Sequence, residues 1–167
     1  ANLAALMALA GRRVAIVDTD IASPGIHVLF GLSDAAGRSL NDYLRGHCTI
    51  EAAAHDVTAS LAPGVRGKLW LVPSSINAGE ITRILHDGYD VGLLGKGFHA
   101  LSWALDLDAV LVDTHPGVNE ETLLSMAISD VLLIVLRPDQ QDYQGTAVAV
   151  EVARRLGVPC LRLIVNK

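Results

Sequence analysis

Carboxylate side chains follow two short apolar segments of this chain. Asp18 and Asp20 come after residues 14–17, and Asp113 comes after residues 109–112. Mg²⁺ binds oxygen atoms, usually from one or two carboxylates, and keeps several water molecules in its shell. Asp113 therefore fits a magnesium ligand that acts directly or through a water molecule. Its alternative role is to cap the turn that follows it.

The first two of these carboxylates are only two residues apart. In an extended chain the side chains of Asp18 and Asp20 point the same way, and two like charges held close together are costly unless they share a cation or a proton. One carboxylate could orient an attacking water molecule while the other holds the water shell of magnesium. The simpler interpretation is that both aspartates cap the next loop.

Two further segments place small or polar residues after a strand-like run. Pro116 and Gly117 follow Asp113 by three and four residues, and a glycine there allows a backbone N–H to approach a γ-phosphate closely. His115 could modulate this loop or be exposed without a role. Asn166 follows residues 161–165, and its amide group suits the edge of an adenine base. A plain turn is the more common role of an isolated asparagine at such a position.

Strand-like and helix-like segments alternate along the chain. The predicted strands are residues 14–17, 69–72, 109–112, 131–136 and 161–165. This alternation predicts an α/β fold, a three-layer parallel sheet with helices on both faces, which places the candidate site at the carboxyl ends of the strands. A long helix is predicted over residues 141–156 with Val148, Val152 and Leu156 on its inner face. Trp70 and Trp103 are expected to pack.

Composition narrows the functional classes. The 167 residues are 51% hydrophobic but only 4% aromatic, as in parallel sheets covered by helices, and the net charge of −5 argues against nucleic-acid binding over the whole surface. No apolar run approaches the ~18 residues of a membrane-spanning helix. Cys48 and Cys160 lie far apart, without metal-ligand spacing near either, which suits reduced thiols in a cytoplasmic protein.

Taken together, these motifs resemble the MinD/ParA family of deviant-Walker P-loop ATPases, in order along essentially the whole chain. Residues 1–4 resemble the start of the helix after that family's GKGGxGKT loop. Residues 17–20, with Gly31 and Leu32 downstream, resemble its switch I. Residues 112–117 resemble its switch II, where D-x-P-x-G or a close variant is usual, and residues 165–167 resemble its adenine-binding strand end.

The resemblance implies ATP, Mg²⁺ and an ATP-dependent homodimer, with slow hydrolysis that times binding to a regulator protein, to membrane or to DNA. By this resemblance Asp20 would position or activate the water, and Asp18 and Asp113 would support magnesium. Pro116 and Gly117 would sense the γ-phosphate, and Asn166 would recognise adenine. The location would be cytoplasmic, with a peripheral position at a membrane or nucleoid open for the full-length protein.

The same family places its phosphate loop and a central first strand before the helix that opens this chain. We therefore expect both upstream of Ala1, so that residues 1–167 form a single partial ATPase domain. With its sheet interrupted at the middle, the chain alone is expected to fold poorly or to associate, and not to hydrolyse ATP at a useful rate. The surface that would distinguish membrane from DNA binding is expected outside it as well.

Three functions stay open at this point. The first is a slow ATP-hydrolysing switch in division-site placement, DNA or cargo partitioning, or related positioning and regulation. The second is a non-catalytic interaction module with a nucleotide-binding fold, and the retained Asp18, Asp20, Asp113 and Gly117 argue against it. The third is an ATP-dependent synthetase or metallocluster-assembly ATPase, although no cysteine near Asp113 could bridge a cluster. A Rossmann oxidoreductase is disfavoured because no G-x-G-x-x-G follows a strand.

Overall fold

The computed structural model describes residues 1–32 and 37–166, apart from the side chain of Gln141. Lys167, which belongs to the adenine-binding resemblance, lies outside the described residues. The chain divides into two compact units, Ala1–His115 and Pro116–Lys167. The prediction of one partial domain over residues 1–167 stays a prediction.

The first unit alternates helices and strands. Its strands are β1 (Arg13–Asp18), β2 (His55–Asp56), β3 (Lys68–Val72) and β4 (Ala109–Asp113). Its α-helices are α1 (Asn2–Leu9), α2 (Ile26–Leu29), α3 (Leu40–Leu44), α4 (Ala78–Asp87) and α5 (Gly92–Ala104), and two 3₁₀ turns span Glu51–Ala53 and Thr58–Ser60.

The strands of this unit form one sheet in the order β2-β3-β1-β4. β1 pairs in parallel with β3 on one side and with β4 on the other, and Asp18 lies opposite Asp113 in the register. β2 is antiparallel to β3. The carboxyl ends of β1, β3 and β4 therefore meet at one edge of the sheet.

The burial of β1 explains its central place. Val14, Ala15 and Val17 are fully buried and Ile16 is 2% exposed, as expected for a strand with a neighbour on each side and cover on both faces. Helix α1 packs on one face through Ala4 and Ala8, in a cluster with Val14, Ile16, Leu69 and Leu71. These two alanines let the backbone of the helix lie close to the sheet.

The second unit contains α6 (Glu120–Ala127), β5 (Val131–Leu136), α7 (Gln140–Arg155) and β6 (Cys160–Val165). β5 and β6 form a parallel pair in register from Val131 opposite Cys160 to Leu136 opposite Val165, and α7 packs on β5. Asp139 caps the start of α7 by accepting the backbone N–H of Asp142 at 2.9 Å. None of the helices in the described ranges is long and apolar enough to cross a membrane.

The α/β prediction is confirmed, with three corrections. The described strands form a four-stranded sheet and a parallel pair. The four-stranded sheet is mixed because the short β2 adds an antiparallel edge that residue patterning does not reveal. In α7, Ala153 is fully buried and Val152 is half-buried, whereas Val148 is 55% and Leu156 39% exposed, so the predicted inner face was wrong for Val148 and Leu156. Trp103, expected to pack, is 92% exposed, whereas Trp70 is buried as expected.

Candidate functional site

The candidate site lies at the carboxyl edge of the four-stranded sheet. The register of β1 and β4 places Asp18 directly opposite Asp113, at the last position of each strand. Ser74, two residues after β3, reaches the same edge and donates a hydrogen bond of 2.7 Å to the backbone carbonyl of Asp18. Ligands bind at this edge of open α/β sheets.

Asp18 organises the loop that follows β1. Its Oδ1 accepts the backbone N–H of Asp20 at 3.2 Å, and its Oδ2 accepts those of Gly25 and Ile26 at 3.3 Å. The residue is 1% exposed, and burial raises the pKa of its carboxyl group although these three hydrogen bonds oppose the shift. Both carboxylate oxygens are thus engaged with the backbone of their own loop.

Thr19 fastens this loop to the end of β4. Its backbone N–H and its hydroxyl both donate to the backbone carbonyl of Asp113, at 2.9 and 2.8 Å. The residue is only 4% exposed, so water cannot readily replace these bonds. The ends of β1 and β4 are therefore joined beyond the last pair of the sheet.

Asp20 lies beyond the strand, and its carboxylate has different partners from that of Asp18. The extended geometry assumed for the two aspartates ends at Asp18, since the N–H of Ile21 donates to the carbonyl of Thr19 at 3.0 Å and turns the chain. Oδ1 of Asp20 accepts the N–H of Ser23 at 3.0 Å and lies 2.9 Å from Nδ1 of His115. No hydrogen bond within the described residues is made to its Oδ2.

Asp113 presents a carboxylate to solvent at the end of β4. Partial burial against the sheet raises the pKa of this group, and the nearby charge of Asp20 raises it further. Its backbone carbonyl is occupied by Thr19, but its carboxylate oxygens accept no hydrogen bond from the described residues. These oxygens are free to bind a cation or a water molecule.

The open carboxylate of Asp113 fits a ligand of Mg²⁺. The described residues contain no group of three or more His, Cys, Asp and Glu side chains arranged to enclose a metal ion. Magnesium seldom needs such a cage, because it binds through one or two carboxylates together with waters and substrate phosphates. Asp113 offers oxygens of this kind, whereas both carboxylate oxygens of Asp18 already accept backbone N–H groups. The magnesium roles expected of Asp18 and Asp113 stay predictions.

The remaining candidate residues belong to the second unit. Gly117 has φ +116° and open space around the position of a Cβ atom, so the conformation itself favours glycine. The N–H of Asn166 donates to the carbonyl of Leu136 at 2.9 Å and extends the β5–β6 pairing by one residue. The nucleotide-binding roles of Pro116, Gly117 and Asn166 stay predictions.

Sequence reasoning did not find the contact between Asp20 and His115. The signal was available in the register, because each residue lies two positions beyond the paired Asp18 and Asp113. Residues at equal distances beyond two adjacent parallel strands are natural neighbours. The roles of Thr19 and Ser74 were missed as well, because both residues bind the backbone of a neighbouring strand end.

Comparison with known proteins places this geometry in a family. The model of the family ParA, described as NUBPL iron-transfer P-loop NTPase, matches residues 1–167. The chain belongs to this family. An uncharacterized ATP-binding protein of Methanocaldococcus jannaschii is 27% identical to this ParA-family chain over 167 residues, which are 100% of this chain and 57% of that protein. The iron-sulfur cluster carrier protein of the same organism is 26% identical over 170 residues, covering 99% and 53%.

The fold of the ParA-family chain matches solved structures as well. The septum site-determining protein MinD of Pyrococcus horikoshii, solved with Mg-ADP, aligns with a TM-score of 0.80 and 20% identity over 99% of this chain and 62% of that one. This likeness confirms the α/β fold of the MinD type. The chain spans about half the length of the curated relatives it matches.

Proposed function

We propose that this ParA-family protein is an ATP-binding switch of the MinD/ParA type that hydrolyses ATP slowly with Mg²⁺. The observation that carries the proposal is the alignment of Asp18 with Asp113 at the ends of adjacent parallel strands. This alignment brings the open carboxylates of Asp113 and Asp20 to one sheet edge. Two carboxylates at such an edge suit a magnesium–phosphate complex.

Each residue of this edge has a role in the proposal. Asp113 supports Mg²⁺ directly or through a water, and the bound ion would neutralise charge on the phosphates. Asp20 positions the attacking water. Asp18 supports Asp20 by holding the loop after β1 through its three backbone hydrogen bonds. Such catalysis depends on positioning and electrostatics more than on covalent chemistry.

Three residues of the second unit, Pro116, Gly117 and Asn166, have nucleotide-binding roles in this proposal. Gly117 offers a backbone N–H without a side chain to obstruct a γ-phosphate, and Pro116 restricts the backbone before it. Asn166 offers both an amide donor and an amide acceptor to an adenine edge. The phosphate loop expected upstream of Ala1 would grip the phosphates, and that expectation stays a prediction.

Partners and cellular role follow from the family in this proposal. ATP would hold two copies together as a homodimer, and hydrolysis would end their interaction with a regulator protein. The MinD structure supports a role in positioning or division-site placement, with the protein in the cytoplasm or peripheral at a membrane or nucleoid.

The test uses the protein expressed from its complete reading frame. We expect MgATP binding by calorimetry, slow turnover, and ATP-dependent dimers by light scattering. Asp20→Asn should bind MgATP, lose turnover and accumulate the dimer, whereas Asp113→Asn should weaken the magnesium dependence of binding. Asp87→Asn, at the exposed end of α4, is the control and should behave as the wild type. A wild-type protein that binds no ATP overturns the proposal.

The comparisons also support a second candidate function, the transfer of iron or of an iron-sulfur cluster. The family description names iron transfer, and one relative is an iron-sulfur cluster carrier. In this chain Cys48 and Cys160 are free and half-buried, and the described residues contain no cluster of metal ligands. Anaerobic incubation with iron and sulfide would test this cargo. Stable visible absorbance that is lost in a Cys48→Ser or Cys160→Ser variant would favour the alternative.

A further inference from the structure

The contact between Asp20 and His115 joins two loops of the candidate site. Nδ1 of His115 lies 2.9 Å from Oδ1 of Asp20, and the two residues are 95 positions apart in the chain. An ionised carboxylate only accepts hydrogen bonds, so Nδ1 must carry the proton and donate it. The imidazole thereby ties the loop after β1 to the segment after β4.

The same carboxylate oxygen also accepts the backbone N–H of Ser23 at 3.0 Å. Two donors, one from each loop, therefore fix Oδ1 of Asp20. With Oδ1 held in this way, Oδ2 is the oxygen that stays available, and its direction is set by the same two contacts. The side chain of Asp20 is 17% exposed, so it reaches solvent while remaining largely enclosed.

Another histidine pair of the chain shows what is unusual in this contact. Nδ1 of His86 lies 2.9 Å from Oδ1 of Asp87, but these residues are neighbours in sequence and their side chains are 85% and 62% exposed. A contact between neighbours holds no distant segments together. The Asp20–His115 contact has the same length and links residues from two strand ends.

We infer that His115 is the positioning residue of Asp20. It holds Oδ1 so that Oδ2 stays directed at the position of the attacking water, a role that rests on the proposed ATPase function. Without this donor the carboxylate can rotate about its side-chain bonds, and the two loops lose their side-chain link. The geometry of the contact itself does not depend on that function.

Substitutions at His115 can distinguish the role of Nδ1 from that of Nε2. The amide nitrogen of asparagine reaches about as far as Nδ1 of histidine, whereas that of glutamine reaches about as far as Nε2. His115→Asn should therefore keep the bond to Asp20, while His115→Ala and His115→Gln should lose it. His86→Ala is the matched control, because it removes a contact of equal length between two exposed neighbours in sequence.

The first measurement is structural and needs no nucleotide. In ¹⁵N spectra of the protein from its complete reading frame, the neutral ring of His115 should carry its proton on Nδ1, and Asp20→Ala should shift that tautomer equilibrium. The amide signal of Ser23 should move in His115→Ala but stay in place in His115→Asn and His86→Ala. A ring protonated on Nε2, or an unchanged Ser23 signal in His115→Ala, overturns the inference.

The second measurement is turnover of MgATP. His115→Ala and His115→Gln should lower kcat about 10- to 100-fold with KM unchanged, as expected for a displaced catalytic group, and His115→Asn should restore most of it. Equal kcat in all variants overturns the positioning role. If the wild type turns over no ATP, the proposed function fails, and the tautomer and Ser23 signals still decide whether His115 holds Asp20.

Discussion

Thr19 donates two hydrogen bonds to a single acceptor, the backbone carbonyl of Asp113. The N–H bond is 2.9 Å and the hydroxyl bond 2.8 Å, and Thr19 lies one residue beyond the last pair of β1 and β4, Asp18 with Asp113. These two hydrogen bonds to one carbonyl keep the two strand ends from separating. The distance between the Asp20 loop and the Asp113 carboxylate therefore depends on Thr19, which is only 4% exposed.

Removal of this hydroxyl should loosen the site without changing its shape. Thr19→Val preserves the side-chain volume but deletes the 2.8 Å bond, and we expect a loss of about 0.5–1.5 kcal/mol in the free energy of unfolding. Urea denaturation measures this loss. Thr19→Ser keeps the hydroxyl and should be closer to the wild type, so a serine variant as unstable as the valine variant would contradict the assignment.

Substitutions of Asp18 and Asp20 should have different effects on the free energy of unfolding. Asp18→Asn must direct an amide NH₂ at one or more of the backbone N–H groups that the carboxylate now accepts, and leaving the buried N–H of Ile26 unpaired costs about 1–3 kcal/mol. Asp20→Asn keeps its Oδ1 for Ser23 and His115, so its unfolding free energy should stay within about 0.5 kcal/mol. Urea unfolding of both variants checks this difference.

If Asp20→Asn lost more unfolding free energy than Asp18→Asn, the assignment of Asp18 as the structural and Asp20 as the reactive carboxylate would be wrong. A matched control is available in Asp87→Asn, whose exposed carboxylate contacts only its neighbour His86 in the described structure. That variant should unfold as the wild type does.

The strand ends that carry the carboxylates could be predicted from the sequence because each follows a continuous apolar run. The start of α3 was predictable too: Ser39 and Asp42 have the spacing of a capping box, and both reciprocal bonds are present. In these cases the structural information lies within a few neighbouring residues.

Features that depend on distant segments could not be read in this way. The face that a helix buries is decided by what it packs on, so α7 approaches its sheet through Ala153 and leaves Val148 exposed. Trp103 lies two residues after the buried Leu101, about 200° around α5, and therefore faces solvent. The Asp20–His115 contact needed the register of β1 with β4.

Gly67 should be among the least replaceable residues of the chain. A Cβ atom there would lie 2.0 Å from the carbonyl oxygen of Arg12 and 2.7 Å from that of Ala8, which are backbone atoms that cannot move away cheaply. Gly67→Ala should therefore lower the free energy of unfolding by about 1–3 kcal/mol or more. Chemical denaturation of the variant measures this loss.

Gly145 provides the opposite control. It lies inside α7, and outside its own helix backbone and chain neighbours no described atom lies within 4 Å of the Cβ position. Gly145→Ala should raise stability by about 0.5–1 kcal/mol because alanine loses less backbone entropy in a helix. If both alanine variants are destabilised to the same extent, the close backbone approach at Gly67 is not the cause.

Asp108 should give the fold a defined acid sensitivity. Its Oδ2 accepts the backbone N–H of Arg13 at 2.8 Å and its Oδ1 accepts Nη1 of Arg12 at 3.1 Å, so it joins the starts of β4 and β1. The hydrogen bond from Arg13, together with the charge of Arg12, lowers the pKa of this carboxyl group. The folded protein therefore binds this proton less readily than the unfolded chain, whose aspartates titrate near ~3.9.

This contribution to stability is fully present above about pH 4 and is lost as the pH falls through the lowered pKa of the folded state. Asp108→Asn cannot ionise, so it should be less stable than the wild type at neutral pH, and the difference should shrink below about pH 4. Urea unfolding between pH 3 and 7 measures both free energies. A difference that grows on acidification would mean that the pKa of Asp108 is raised in the folded protein, contrary to its two donors.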